Sequence, residues 1–208
     1  MTEGPRRFLA LLIWPALALV LVVPVAIAAS SPFLPSRSFA YVVASFAGIL
    51  SLGLLLCQPL LAAGYLPGLP QARRWHRLLG TGIIIAVLLH IGGLYLTSPP
   101  DTIDALLLVS PTPFSVYGVI ALCGILLTAL LVALRRKSGL PHSAWRIIHN
   151  AVAAVVVLAT IIHAVQIEGL MGQVSKLVLC IALATATIVA LVDVHLLGPR
   201  RRRLEGKA

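Results

Sequence analysis

Six runs of mostly apolar residues, separated by short polar gaps, organise this chain: 8–29, 39–61, 76–96, 113–134, 143–166 and 174–197. A helix that crosses the hydrocarbon core of a bilayer needs about 20 mostly apolar residues, so each run is long enough to span. No stretch alternates apolar and polar residues as a barrel strand would, which leaves helices as the spanning solution. The gaps hold the residues that end helices: Ser31-Pro32 and Pro35, Pro67-Gly68 and Pro70, Ser98-Pro99-Pro100, Pro111, Gly139 and Pro141, and Gly198-Pro199. The pattern predicts an all-α integral membrane protein, a bundle of six transmembrane helices forming a single domain over residues 1–208.

Composition strengthens that expectation. Of the 208 residues, 60% are hydrophobic and 11% charged, against roughly 45–50% and about 25% in globular domains. Too little polar surface is present to cover a water-facing globule, so a soluble enzyme, a disordered chain and a disulfide scaffold are poor fits. Cys57, Cys123 and Cys180 all lie inside apolar runs, and no C-x-x-C-H occurs for covalent haem attachment. The first run, preceded by Arg6-Arg7 and closing on Ala26-Ile27-Ala28, also has the outline of a secretion signal. Its length and its Pro15 and Pro24 favour a retained helix.

A net charge of +10 in a soluble chain would point to nucleic acid. Here the Lys and Arg residues sit almost wholly in the gaps, so no nucleic-acid partner is expected and the charges read as topology signals. The side that holds the N-terminus collects fourteen of the sixteen: Arg6, Arg7, Arg73, Arg74, Arg77, Arg135, Arg136, Lys137, Arg146, Arg200–Arg203 and Lys207. Arg37 and Lys176 fall on the other side. The positive-inside rule then places both termini in the cytoplasm, and the setting expected is a bacterial inner (plasma) membrane.

The histidines carry the candidate chemistry. His76 and His90 stand fourteen residues apart on the third segment, and His149 and His163 stand fourteen apart on the fifth. Fourteen residues make nearly four turns and a rise of about 21 Å, so each pair shares one helix face. The two segments run in the same direction, which puts His76 at the depth of His149 and His90 at the depth of His163. Two stacked haems suit that arrangement, each iron held by one imidazole from each helix, because two axial imidazoles make a six-coordinate centre fit for electron transfer. The face between the ligands, with Gly80, Ile83 and Val87 on one helix and Ala153, Val156 and Thr160 on the other, is expected to line the macrocycles. Arg77 and Arg146 lie beside the inner ligands and are expected to pair with haem propionates. Zinc is a weaker fit, because ligands about 21 Å apart on a helix cannot share one ion. A third class of reading keeps the histidines as helix–helix hydrogen bonders in a small transporter or assembly factor. His142 reads as a surface residue, whereas His195 and Asp193 lie near the end of the last segment, where snorkelling or function would each explain them.

The segment Trp75-His76-Arg77-Leu78-Leu79-Gly80 leading to His90, and Trp145-Arg146-Ile147-Ile148-His149 leading to His163, resemble the third and fifth helices of the ferric reductase-like transmembrane superfamily. That is the haem-bearing core of ferric reductases and NADPH oxidases. The resemblance implies two haems b, with His76 and His149 on the inner haem and His90 and His163 on the outer one. It also implies electron flow from the cytoplasmic side to an acceptor outside, which would meet the outer haem near the 98–113 loop. In size the chain is similar to MsrQ-like members, haem subunits that supply a periplasmic methionine sulfoxide reductase, although His76 favours the general two-haem type. Gly80-Thr81-Gly82 lacks the third glycine of a dinucleotide fingerprint. No flavin or NAD(P)H site is expected in this chain, so a separate flavin reductase or a membrane quinol is the expected donor.

Overall fold

A computed structural model describes residues 3–197, with side chains described over 11–195. Among the described residues there are seven α-helices and no strand. They are α1 (Glu3–Ala29), α2 (Phe39–Ala63), α3 (Ala72–Thr97), α4 (Pro99–Leu106), α5 (Pro113–Ala133), α6 (His142–Gln166) and α7 (Gln173–Val192). All but α4 are long and apolar enough to cross a membrane. The side chains of Arg6 and Arg7, and all of Arg200–Arg203 and Lys207, lie outside what is described.

The helix ends follow local chemistry. Ser38 caps α2, its hydroxyl accepting from the Tyr41 amide at 3.3 Å. Gly64 closes the same helix in the left-handed region, at φ 73°, where glycine carries no Cβ penalty. Proline stands in the first turn of α4 and of α5, positions whose amides lack helical partners in any case.

Three expectations need revision. The third span begins at Ala72 rather than His76, because the arginine-rich stretch before His76 continues the helix beyond its apolar part; His76 is therefore one turn inside α3. The 98–113 loop contains the helix α4, started by Pro99 and braced by the Ser98 hydroxyl on Asp101 at 2.6 Å. Lys176, read as a topology charge of the outer side, is only 3% exposed. Its Nζ donates to the Ile167 carbonyl at the end of α6, where unpaired carbonyls and the helix dipole favour a cation.

The packing consists of two hairpins tied together by the terminal helices. α2 lies along α3, and α5 lies along α6, while α7 touches α1, α2 and α6. The core gathers Ala28, Ile49, Leu52, Leu56, Val157, Leu179 and Leu183 from α1, α2, α6 and α7. Outward-facing Leu, Ile and Val side chains are broadly exposed, as a surface solvated by acyl chains permits. With no hydrophobic drive to bring helices together in lipid, close approach at small residues does that work. Gly93 shows it best: an added Cβ would meet the Ala40 carbonyl and the Ala44 Cβ, each at 2.8 Å, whereas at neighbouring Gly92 it would meet nothing within 4 Å. Gly93→Ala should therefore destabilise by about 1–3 kcal/mol, while Gly92→Ala should be neutral or gain up to about 1 kcal/mol. Thermal unfolding of the two variants in detergent checks the contrast.

Candidate functional site

α3 and α6 rise from the same face of the bundle, and each is packed mainly against its own hairpin partner rather than against the other. Between them, the imidazoles of His76 and His149 come together, ring centroids 6.3 Å apart and planes at 67°. His149 is held from its other side of the helix turn by Trp145, four residues earlier, whose indole stacks on the imidazole at 5.0 Å and 6°. The indole is in turn fixed. Its Nε1–H donates to the Leu131 carbonyl at 3.4 Å, and the Arg135 guanidinium lies over it at 5.1 Å while donating to the Leu140 carbonyl at 3.1 Å. The α5–α6 connection thus sets the plane of one imidazole. The Gln58 amide donates to the His76 backbone carbonyl at 3.3 Å, tying the first turns of α3 to α2.

Among the described residues, three nitrogens at this level are buried without a hydrogen-bond partner: Nδ1 of His76, Nδ1 of His149 and Nε of Arg146. Burying such a group unpaired costs about 1–3 kcal/mol, and clustering in this way marks a place where a polar or ionic partner fits. Arg146, three residues before His149 on α6, is half-buried; Arg77, expected as its counterpart, is exposed. Space is open beside Gly80, where an added Cβ would meet only the Gln58 amide at 3.8 Å. Ile83 and Val156 instead serve helix packing: both are buried, and Val156 presses on Gly124 of α5.

About four turns away, the second level is built differently. His90 Nδ1 lies 2.8 Å from the Ala44 carbonyl of α2, and His163 Nδ1 lies 2.8 Å from the Phe114 carbonyl of α5. A carbonyl can only accept, so each Nδ1 carries the proton and each Nε2 keeps its lone pair. Each ring also rests on a glycine: a Cβ at Gly48 would come within 3.0 Å of His90, and one at Gly118 within 2.8 Å of His163. Those glycines stand four residues after the accepting carbonyls, where a side chain would otherwise cover the carbonyl on the i+4 turn. Among the described residues no three or more His, Cys, Asp or Glu converge as a bare-ion site. Ligand-type nitrogens thus stand at two levels, with one imidazole from α3 and one from α6 at each.

The sequence model of the ferric reductase-like transmembrane components matches residues 47–167. The chain belongs to this family. The matched region runs from α2 to the end of α6 and contains all four histidines, both seating glycines and Trp145, and leaves α1 and α7 outside it. No curated protein and no solved structure matches the chain. A ferric reductase-like transmembrane component is a membrane electron-transfer protein, and the site just described is the one concentration of ligand-type side chains within the matched helices.

Sequence reasoning passed over Gly48, Gly118 and the stacking role of Trp145. The available signal was a glycine on the span preceding each histidine-bearing helix, but the chain separations differ, 42 residues from Gly48 to His90 and 45 from Gly118 to His163, so no fixed spacing announces it. The remaining histidines lie apart. His142 Nδ1 is 3.3 Å from Arg135 at the bundle surface, and His195 meets Asn150. Gly48→Val and Gly118→Val should push His90 and His163 off their carbonyls. Nitrogen-15 histidine NMR of the apoprotein should show Nδ1-protonated tautomers for both rings in the native chain and loss of one in each variant.

Proposed function

We propose that this chain relays electrons across the membrane through two haems b, one held by His76 and His149 and the other by His90 and His163. Ferric reductase-like transmembrane domains generally bear haem. The observation that carries the reading is the His76–His149 pair, two imidazoles with centroids 6.3 Å apart and planes at 67°, brought together from helices that are each packed mainly against another partner. Neutral imidazole is a good ligand for haem iron, and these two rings are close enough for one group to take a nitrogen from each. The unpartnered Arg146 Nε beside it suits a propionate, as a charge-assisted contact would.

Bound haem supplies a one-electron carrier at each level. The protein's own part is to hold and to insulate. His90 and His163 present Nε2 because their Nδ1–H groups are engaged by backbone carbonyls, an outer contact that fixes ligand orientation and raises ligand basicity. Trp145 keeps the His149 plane from turning. The apolar faces of α3 and α6 exclude water between the two levels. By the distribution of Lys and Arg the His76–His149 level is cytoplasmic. Electrons then enter there from a flavin reductase or a quinol and leave at the His90–His163 level to an acceptor outside, in a plasma membrane of bacterial type.

Purified protein expressed with ample haem should show a Soret band and sharp visible bands on reduction. His76→Ala or His149→Ala should remove mainly one haem, and His90→Ala or His163→Ala mainly the other, each leaving about half of the pyridine haemochrome signal. Unchanged haem content in all four variants, or a colourless native protein, would overturn the assignment.

A further inference from the structure

We propose that Asn150 and His195 form a binding site for the head group of a lipid-soluble quinone or quinol. The proposal deepens the relay reading above, from which it takes the role of its ligand as electron donor. A groove of about 440 Å³ runs between α6 and the end of α7, within the roughly 300–1,000 Å³ typical of small-molecule sites. Its walls are apolar, from Ile147, Ala151, Leu191 and Val192, and it opens outward, with Ile147 58% exposed, to where the acyl chains would lie. Within it, Asn150 Nδ2 and His195 Nε2 are 2.9 Å apart. His195 is carried there by a π-turn, Asp193–Leu197, a widened helix turn often found at functional sites.

The pair's chemistry selects the ligand. If the amide N–H donates to Nε2, then His195 keeps an Nδ1–H donor and Asn150 keeps a carbonyl acceptor. If the amide is turned, His195 keeps an Nδ1 acceptor and Asn150 its N–H donors. Either way one donor and one acceptor remain side by side, and neither makes another hydrogen bond among the described residues. A quinol hydroxyl or a quinone carbonyl on an aromatic ring matches that pair, and an isoprenoid tail matches the apolar walls. A phospholipid head group is a poorer match, since no charged side chain lines the groove among the described residues. Asn150 follows His149 directly in α6, so the groove lies at the same depth as the inner imidazole, about 100° round the helix from it.

The test uses the full-length protein in lipid nanodiscs, a photoreactive azidoquinone as label and decylubiquinone as competitor. Saturable labelling of α6 and of the π-turn segment is expected, displaced by decylubiquinone. Asn150→Leu and His195→Leu should each weaken that competition roughly tenfold, the effect of one lost hydrogen bond. His195→Gln, which restores a donor and an acceptor, should recover most of it even if the leucine variant folds poorly. Labelling that does not saturate, that maps elsewhere, that is displaced equally by excess phosphatidylglycerol, or that is indifferent to all three substitutions overturns the proposal. Haem absorbance of the same samples separates the two readings. It should be unchanged in the variants, and a colourless native protein that still binds quinone would sink the relay while leaving this site standing.

Discussion

Inside a bilayer a buried nitrogen has no water to fall back on, and the placement of four imidazoles follows from that constraint. An imidazole has two nitrogens with opposite roles when neutral, so engaging one decides what the other can do. At the His90–His163 level the backbone does the engaging: carbonyls of Ala44 and Phe114 take the Nδ1–H groups. At the His76–His149 level the protein leaves Nδ1 unpaired and controls the rings by contact with each other and with Trp145. One level is orientated by hydrogen bonds, the other by stacking.

A helix carbonyl is already occupied by the amide four residues on, and its second lone pair is normally screened by that residue's side chain. Glycine at the i+4 position removes the screen. Gly48 and Gly118 therefore act as seats for imidazoles on the neighbouring helix as well as sites of close packing. The two hairpins, α2 with α3 and α5 with α6, repeat this device, a carbonyl, a glycine one turn later and a histidine opposite. α1 and α7 supply much of the buried core that holds the hairpins in place, and α7 contributes Lys176 as a buried cap for the end of α6.

Much of the fold was legible because lipid is an unforgiving solvent: only long apolar helices can cross it, and the six spans lie where apolar length and Pro or Gly punctuation put them. What escaped was chemistry that depends on partners. Lys176, near the start of the last apolar run, reads as one of the few outer-side topology charges, and nothing local reveals the Ile167 carbonyl waiting for it. Arg77 and Arg146 looked equivalent, one residue beside each inner histidine, yet one is exposed and the other half-buried with an unpaired Nε. Gly80 and Gly82 drew attention in the sequence, whereas the glycines that seat rings lie on other helices.

By itself the sequence determined how many helices cross the bilayer and which histidines share a face, because both are properties of a single helix with 3.6 residues per turn. The distribution of Lys and Arg sets an expectation for which ends face the cytoplasm. Only the tertiary structure decided which carbonyl each imidazole meets, which arginine is buried, and that Asn150 and His195 touch across 45 residues of chain. Those outcomes depend on the relative rotation and offset of neighbouring helices, set by close contacts such as Gly93 on Ala40 and Val156 on Gly124, and contacts between distant residues leave no periodicity for a sequence to display.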